Sequence, residues 1–178
     1  YTMTFVSISS LVNALSTWLE MRIWRNGGAY FMRFQDGVPD EPLVRTGDSD
    51  GEAGSEITFL PSLAVFSGTD FDPTILEHRL RELAFLNPGI TLVLDDSRGV
   101  EPNVIEMHYE GGLKAFVAYL DRGKTPLIGE PIVIHGAAEG IDLSLALQWS
   151  DSYHESMLCF TNTIRQTDGG AHLAGFRA

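Results

Sequence analysis

Five histidines and one cysteine are the residues of this chain best suited to metal chemistry, and they stand apart. His78, His108, His135, His154 and His172 occur singly, with no HxxxH or CxxC spacing, so no metal site is expected. Asp151, Ser152 and His154 are neighbours, but a hydrolytic triad is assembled in space and no GxSxG elbow is present. Gly27-Gly28 and Gly111-Gly112 are too short to cradle a phosphate and read as turn glycines; GxxxxGK[ST] does not occur. The acidic run Asp48-Ser49-Asp50-Gly51-Glu52 lacks the spacing of a calcium loop and reads as a solvated loop. Glu77 to Leu83 mixes both charge signs, the pattern of a salt-bridged helix face. Cys159 lies between Leu158 and Phe160 and reads as a buried structural thiol in a reducing, cytoplasmic setting.

These residues need elements to hold them. Leu11, Leu15, Trp18 and Leu19 recur at helical spacing, which predicts a helix over about 9–19 with Ser9 or Ser10 as N-cap. Glu20 to Arg25 and Ala29 to Gln35 read as strands joined by Asn26-Gly27-Gly28. Residues 46–54 read as a flexible loop and Glu56 to Leu60 as a short strand. Asp72-Pro73 starts a helix whose apolar face is Leu76, Leu80, Leu83 and Ala84; Asn87-Pro88-Gly89 stops it. Strands follow at Ile90 to Leu94 and Val104 to Tyr109, then a short helix from Leu113 to Leu120. Strict alternation from Ile141 to Trp149 marks a strand, with Ser156 to Asn162 as its expected neighbour. Helices and strands mix without a βαβ repeat, so the class is α+β. A composition shift near residues 110–125 suggests a domain junction.

The chain has 178 residues, 44% of them hydrophobic, enough for one domain or two small ones. No apolar run is long enough to span a bilayer, and no secretory leader is evident. A net charge of −12 argues against nucleic-acid binding through the bulk field of this chain. The residues alone thus describe an acidic α+β chain of unstated activity.

Several words in order nevertheless resemble the B subunits of bacterial DNA gyrase. They are Val12-Asn13-Ala14-Leu15-Ser16, Gly37-Val38-Pro39, Arg79 to Asn87 (RLRELAFLN), His108-Tyr109-Glu110-Gly111-Gly112, Lys124-Thr125-Pro126, Ala146-Leu147-Gln148-Trp149, and Asp168-Gly169-Gly170 through Arg177. The resemblance covers roughly residues 11–178. Topoisomerase IV B subunits are similar, but Gln148 to Tyr153 and Cys159 to Asn162 look more like gyrase.

The resemblance implies the C-terminal part of a Bergerat (GHKL) ATPase α/β sandwich over residues 1–118. The start of a ribosomal-S5-like transducer would occupy residues 119–178. It implies a parent protein that uses ATP and Mg2+ to drive DNA strand passage and negative supercoiling. Its implied partners are the gyrase A subunit, DNA held mainly by other parts, and a second B subunit on ATP binding, with no membrane involved. Arg25 matches an arginine at the pocket mouth on which coumarin-type inhibitors stack. Ser55 matches a threonine that helps hold adenine, Ile57 a pocket-wall residue, and Ser10 belongs to the same pocket. No catalytic residue is implied within these 178 residues: the family's catalytic Glu, Mg-binding Asn and adenine-reading Asp are expected upstream, its γ-phosphate lysine downstream. Phe5-Val6-Ser7-Ile8 stands where the family has a glycine-rich lid, so residues 1–8 look atypical. The expectation is a chain that does not bind ATP productively or hydrolyse it alone. A truncated, noncatalytic partner of intact B subunits and a topoisomerase IV B subunit are the alternatives.

Overall fold

The computed structural model describes residues 10–178. The expected Ser9 cap and the atypical residues 1–8 lie outside the described residues. Contacts divide the chain into a unit ending at Phe71 and a unit beginning at Asp72.

The first unit is built on an antiparallel sheet. Its strands are β1 (Ser16–Arg25), β2 (Gly28–Gln35), β3 (Val38–Pro39), β4 (Val44–Asp48) and β5 (Gly54–Pro61). β1 is central between β2 and β5, and both β3 and β4 pair with the far side of β2. Two tight turns set the register. Asn26 and Gly27 have φ of 53° and 76° and close Arg25 onto Gly28; Asp36 and Gly37, at 48° and 83°, close Gln35 onto Val38. Positive φ at both central residues matches the right-handed twist of the strands, which is why Asn-Gly and Asp-Gly occur here.

The helix expected over about 9–19 is overturned. Residues 10–14 are helical, but β1 begins at Ser16 and carries Trp18 and Leu19. Their helical spacing loses to strand pairing on both sides, which leaves Leu19 with no exposed surface. The helical residues are tied to the sheet: Asn13 Nδ2 donates to the Gly37 carbonyl at 3.0 Å, and the Ser62 amide to the Leu15 carbonyl at 3.0 Å. The loop expected over 46–54 is also shorter, since β4 extends to Asp48 and β5 starts at Gly54. Ladder bonds to β2 decide that strand, and its polar Arg-Thr-Gly-Asp sequence hides it.

In the second unit, helix α1 (Pro73–Leu86) starts as expected. Asp72 accepts from the amides of Thr74 (2.8 Å) and Ile75 (3.3 Å), with Pro73 in the first turn. Hairpin β6 (Thr91–Asp96)–β7 (Asn103–His108) follows, then helix α2 (Gly112–Leu120). The core here is aromatic. Phe85 stacks on Tyr109 at 3.7 Å between ring centroids and on Phe116 at 5.1 Å, with Tyr119 at 5.2 Å. Phe85, Ala84, Met107 and Phe116 are buried.

Beyond α2 lie β8 (Ile132–Ala138), β9 (Ile141–Leu147), β10 (Cys159–Thr161), β11 (Ile164–Gln166) and helix α3 (Gly170–Arg177). The alternating strand is present, but its expected neighbour is corrected: β9 pairs with β8, and β10 pairs with β11. Glu139 and Gly140, both at positive φ, join β8 to β9 directly, so the nearest strand in sequence closes first. β8 and α3 were not foreseen from the sequence.

Two of the family-like words meet in space. The segment after Lys124 runs beside the segment after β9: Leu127 donates its amide to the Trp149 carbonyl at 2.7 Å, and Asp151 to that of Thr125 at 2.9 Å. The Asp151 carboxylate in turn accepts the Thr125 amide at 3.0 Å. That amide foremost, then the Thr125 side chain and the Lys124 charge, hold the Asp151 carboxyl below its ordinary value. A lowered folded value means the bond is intact above the ordinary carboxylate range and is lost as pH falls through the folded value. The Thr125 amide resonance is therefore expected to titrate below about pH 3.9, the unperturbed aspartate value. A midpoint at or above that pH would contradict the assignment.

Candidate functional site

Arg25, Ser55 and Ile57 meet on one face of the first unit's sheet. Antiparallel register pairs Ile23 with Ser55 and Met21 with Ile57, and partners in a ladder share a face. Arg25, two residues beyond Ile23, lies on that same face at the end of β1. Diagonal neighbours of this kind stand about 7–8 Å apart. All three are exposed, Ile57 at 40%. Ser10 begins the helical residues 10–14, outside the sheet register that unites the other three, and is exposed.

The face is apolar apart from its ends. β1 contributes Leu19, Met21 and Ile23, β2 contributes Tyr30, Met32 and Phe34, and β5 contributes Ile57 and Phe59. The opposite face mixes ion pairs with aromatic and apolar side chains: beside Trp18, Trp24, Phe31 and Leu60, Arg22 pairs with Glu56 across strands at 2.9 Å, and Arg33 lies 3.7 Å from both Glu20 and Asp40. Such pairs are exposed and contribute little to stability. They do mark the two faces as chemically different, because the cross-strand ion pairs of β1, β2 and β5 lie on the opposite face and not on the one with Arg25, Ser55 and Ile57.

Tyr30 is a member of this face that sequence reasoning missed. It pairs with Ile23, and its ring folds over Gly28, the partner of Arg25. A Cβ at Gly28 would lie 2.8–3.0 Å from the tyrosine ring and hydroxyl, so glycine leaves room for the ring beside Arg25. The signal was available, because the Asn-Gly turn alone fixes the pairing of Arg25 with Gly28 and of Ile23 with Tyr30.

The face offers an apolar wall, the hydroxyls of Ser55 and Tyr30, and the guanidinium of Arg25. That set fits a flat heteroaromatic base or ring: Ile57 as wall, the Ser55 hydroxyl as donor or acceptor, and Arg25 as a planar cation over the ring. It does not fit a divalent cation. On β1 and β5 the face has no carboxylate, amide or imidazole. The carboxylate on this side of the sheet is Asp48 of β4, opposite Gly28 and bound by Arg45 at 2.7 Å. Three strand spacings, about 14 Å, separate it from β5. Among the described residues no group of three or more His, Cys, Asp or Glu is placed to hold a metal. Nor is any described helix long and apolar enough to cross a membrane.

Comparison with known proteins gives a consistent picture. Residues 112–178 match the family model described as DNA gyrase B. The chain is 52% identical over 179 aligned positions to the DNA gyrase B subunit of Caulobacter vibrioides, covering 95% of this chain and 22% of that protein. It is 46% identical over 171 positions to the DNA topoisomerase 4 B subunit of Enterococcus faecalis, covering 95% of this chain and 25% of that one. Among solved structures, the 43K ATPase domain of Thermus thermophilus gyrase B in complex with an aminocoumarin superposes with a TM-score of 0.81 at 32% identity. The match covers 97% of this chain and 47% of that one. The chain thus spans about a fifth of the length of the curated relatives it matches.

Proposed function

Because the chain belongs by homology to the DNA gyrase B family, we propose that it supplies one wall of a nucleotide pocket and the start of a transducer in an ATP-driven type IIA topoisomerase. The fold is the α+β fold of a GHKL ATPase segment. The observation that carries the pocket reading is the register that sets Arg25, Ser55 and Ile57 on one open apolar face. In this reading Ser55 and Ile57 receive the adenine, Arg25 caps the mouth, and Ser10 stands at the pocket from the helical residues 10–14. Residues 1–118 belong to the ATPase part and 119–178 to the transducer.

The parent's cofactors would be ATP and Mg2+. The described residues suit the base and leave the metal to groups elsewhere. The partners would be the gyrase A subunit, DNA, and a second copy of the B subunit, in the cytoplasm. A net charge of −12 supports placing the grip on DNA outside this stretch. The words from Gln148 to Tyr153 and Cys159 to Asn162 favour gyrase over topoisomerase IV.

The test uses the complete protein that carries this stretch, combined with its A subunit. ATP-dependent negative supercoiling is expected; relaxation or decatenation alone would assign topoisomerase IV instead. In the same protein, Arg25→Ala is expected to weaken an aminocoumarin by about 30-fold, the value of a desolvated cation–π contact of ~2 kcal/mol. Unchanged inhibitor affinity would remove Arg25 from the pocket.

A further inference from the structure

Hairpin β10–β11 rests on the α1–α2 layer through two side chains that share one of its faces. Phe160 and Arg165 are direct cross-strand partners, so both project to the same side. Phe160 meets Phe116 of α2 at 6.2 Å between ring centroids. Arg165 meets Glu82 of α1 at 3.3 Å, across 83 residues of sequence. Glu82 does not depend on Arg165 for a partner. Its other carboxylate oxygen is held by Arg79, one turn back on the same helix, at 2.6 Å. The Glu82 side chain is 16% exposed, whereas those of Arg79 and Arg165 are 52% and 39% exposed.

This arrangement has a physical consequence. Removing one partner of a buried ion pair is costly because a charge is left unpaired. Here Glu82 keeps Arg79 when Arg165 leaves, and Arg165, already partly exposed, moves into water. Separation therefore breaks one charged contact and one contact between tilted rings, and leaves no orphaned charge. We propose that Glu82, Arg79 and Arg165 form a detachable latch, with Arg165 the positioning residue that docks hairpin β10–β11 onto α1. On the proposed division at residues 118/119, on which this functional meaning rests, the latch joins the ATPase part to the transducer part. It would let the transducer hairpin undock and redock at small cost while α1 stays folded.

Hydrogen exchange on the 178-residue chain tests the latch without ATP, DNA or an A subunit, so its outcome is separate from that of the supercoiling assay. Arg165→Gln is expected to speed exchange of the amides of Cys159–Thr161 and Ile164–Gln166 about fivefold, the scale of a partly exposed ion pair. Exchange in α1 should stay within about twofold, and Arg165→Lys should restore much of the protection. Raising salt from about 0.05 M to about 0.5 M should speed exchange of the hairpin in the native chain and have little further effect in Arg165→Gln. Unchanged hairpin exchange in Arg165→Gln overturns the latch. Parallel loss of protection in α1 overturns its detachability, because the contact would then be part of the core. Should Glu82→Gln unfold the second unit, the two Arg165 variants still decide the matter, since Glu82 keeps Arg79 in both.

Discussion

Incubated with ATP and Mg2+, the 178-residue chain is expected to release phosphate no faster than a heat-killed control. Hydrolysis needs a group that takes a proton from the attacking water and a cation that gathers the phosphate oxygens. The candidate nucleotide face has no such base on β1 or β5. Its side chains there are Leu19, Met21, Ile23, Arg25, Ser55, Ile57 and Phe59, none of which is a base at neutral pH. Asp48 is on the wrong side of the sheet's breadth and already bound to Arg45. Glu20 and Glu56 point to the opposite face, where Arg33 and Arg22 lie against them. The cation that β1 and β5 give this face is the guanidinium of Arg25, which cannot be deprotonated to act as a base. Binding of a flat ring is compatible with this face, whose β1 and β5 residues supply no base for turnover. A steady-state rate above the control, abolished by a gyrase-B inhibitor, would show that a residue outside this face serves as the base.

Much of this was legible in the sequence, and the reasons are local. Asp72-Pro73 and Asn26-Gly27 announce a helix start and a hairpin turn because each residue type satisfies one specific backbone requirement. The alternation from Ile141 announces β9 for the same kind of reason. What failed is non-local. Leu11, Leu15, Trp18 and Leu19 fit a helix, and only pairing with β2 and β5 turns the last two into a strand. β4 is polar almost throughout and is a strand because β2 offers it a ladder. The site divides in the same way. Spacing showed no active constellation, and the pocket residues came from resemblance. Their convergence on one face follows from register, which the Asn-Gly turn specifies for β1 and β2 but which nothing short-range specifies for β1 and β5.

Phe85→Ala is expected to be the most damaging single substitution in the second unit, at about 3–5 kcal/mol. Phe85 is 2% exposed and sits at the centre of the aromatic cluster, against Tyr109, Phe116 and Tyr119. Truncation would remove three ring contacts, each worth about 0.5–1.5 kcal/mol beyond area burial, and leave a cavity that rigid rings fill poorly. The damage would also reach the polar groups above the cluster. Arg81 lies 5.4 Å from the Tyr119 centroid, donates to the Tyr109 hydroxyl and pairs with Glu77. Burial opposes its charge, but Glu77 and the two tyrosines outweigh this and hold the guanidinium above its ordinary value. Tilting Tyr109 or Tyr119 into a cavity would loosen that network together with the core. Whole domains are stable by only about 5–15 kcal/mol, so this one change consumes a large share of the margin. Phe85→Leu keeps most of the volume and should cost less than half as much. Denaturant unfolding of both variants, followed by tryptophan-independent near-ultraviolet signals of the tyrosines, separates the outcomes. If Phe85→Ala shifts stability by less than about 1 kcal/mol, the cluster is not the core of this unit, and the docking of β10 through Phe116 would have to rest on something else.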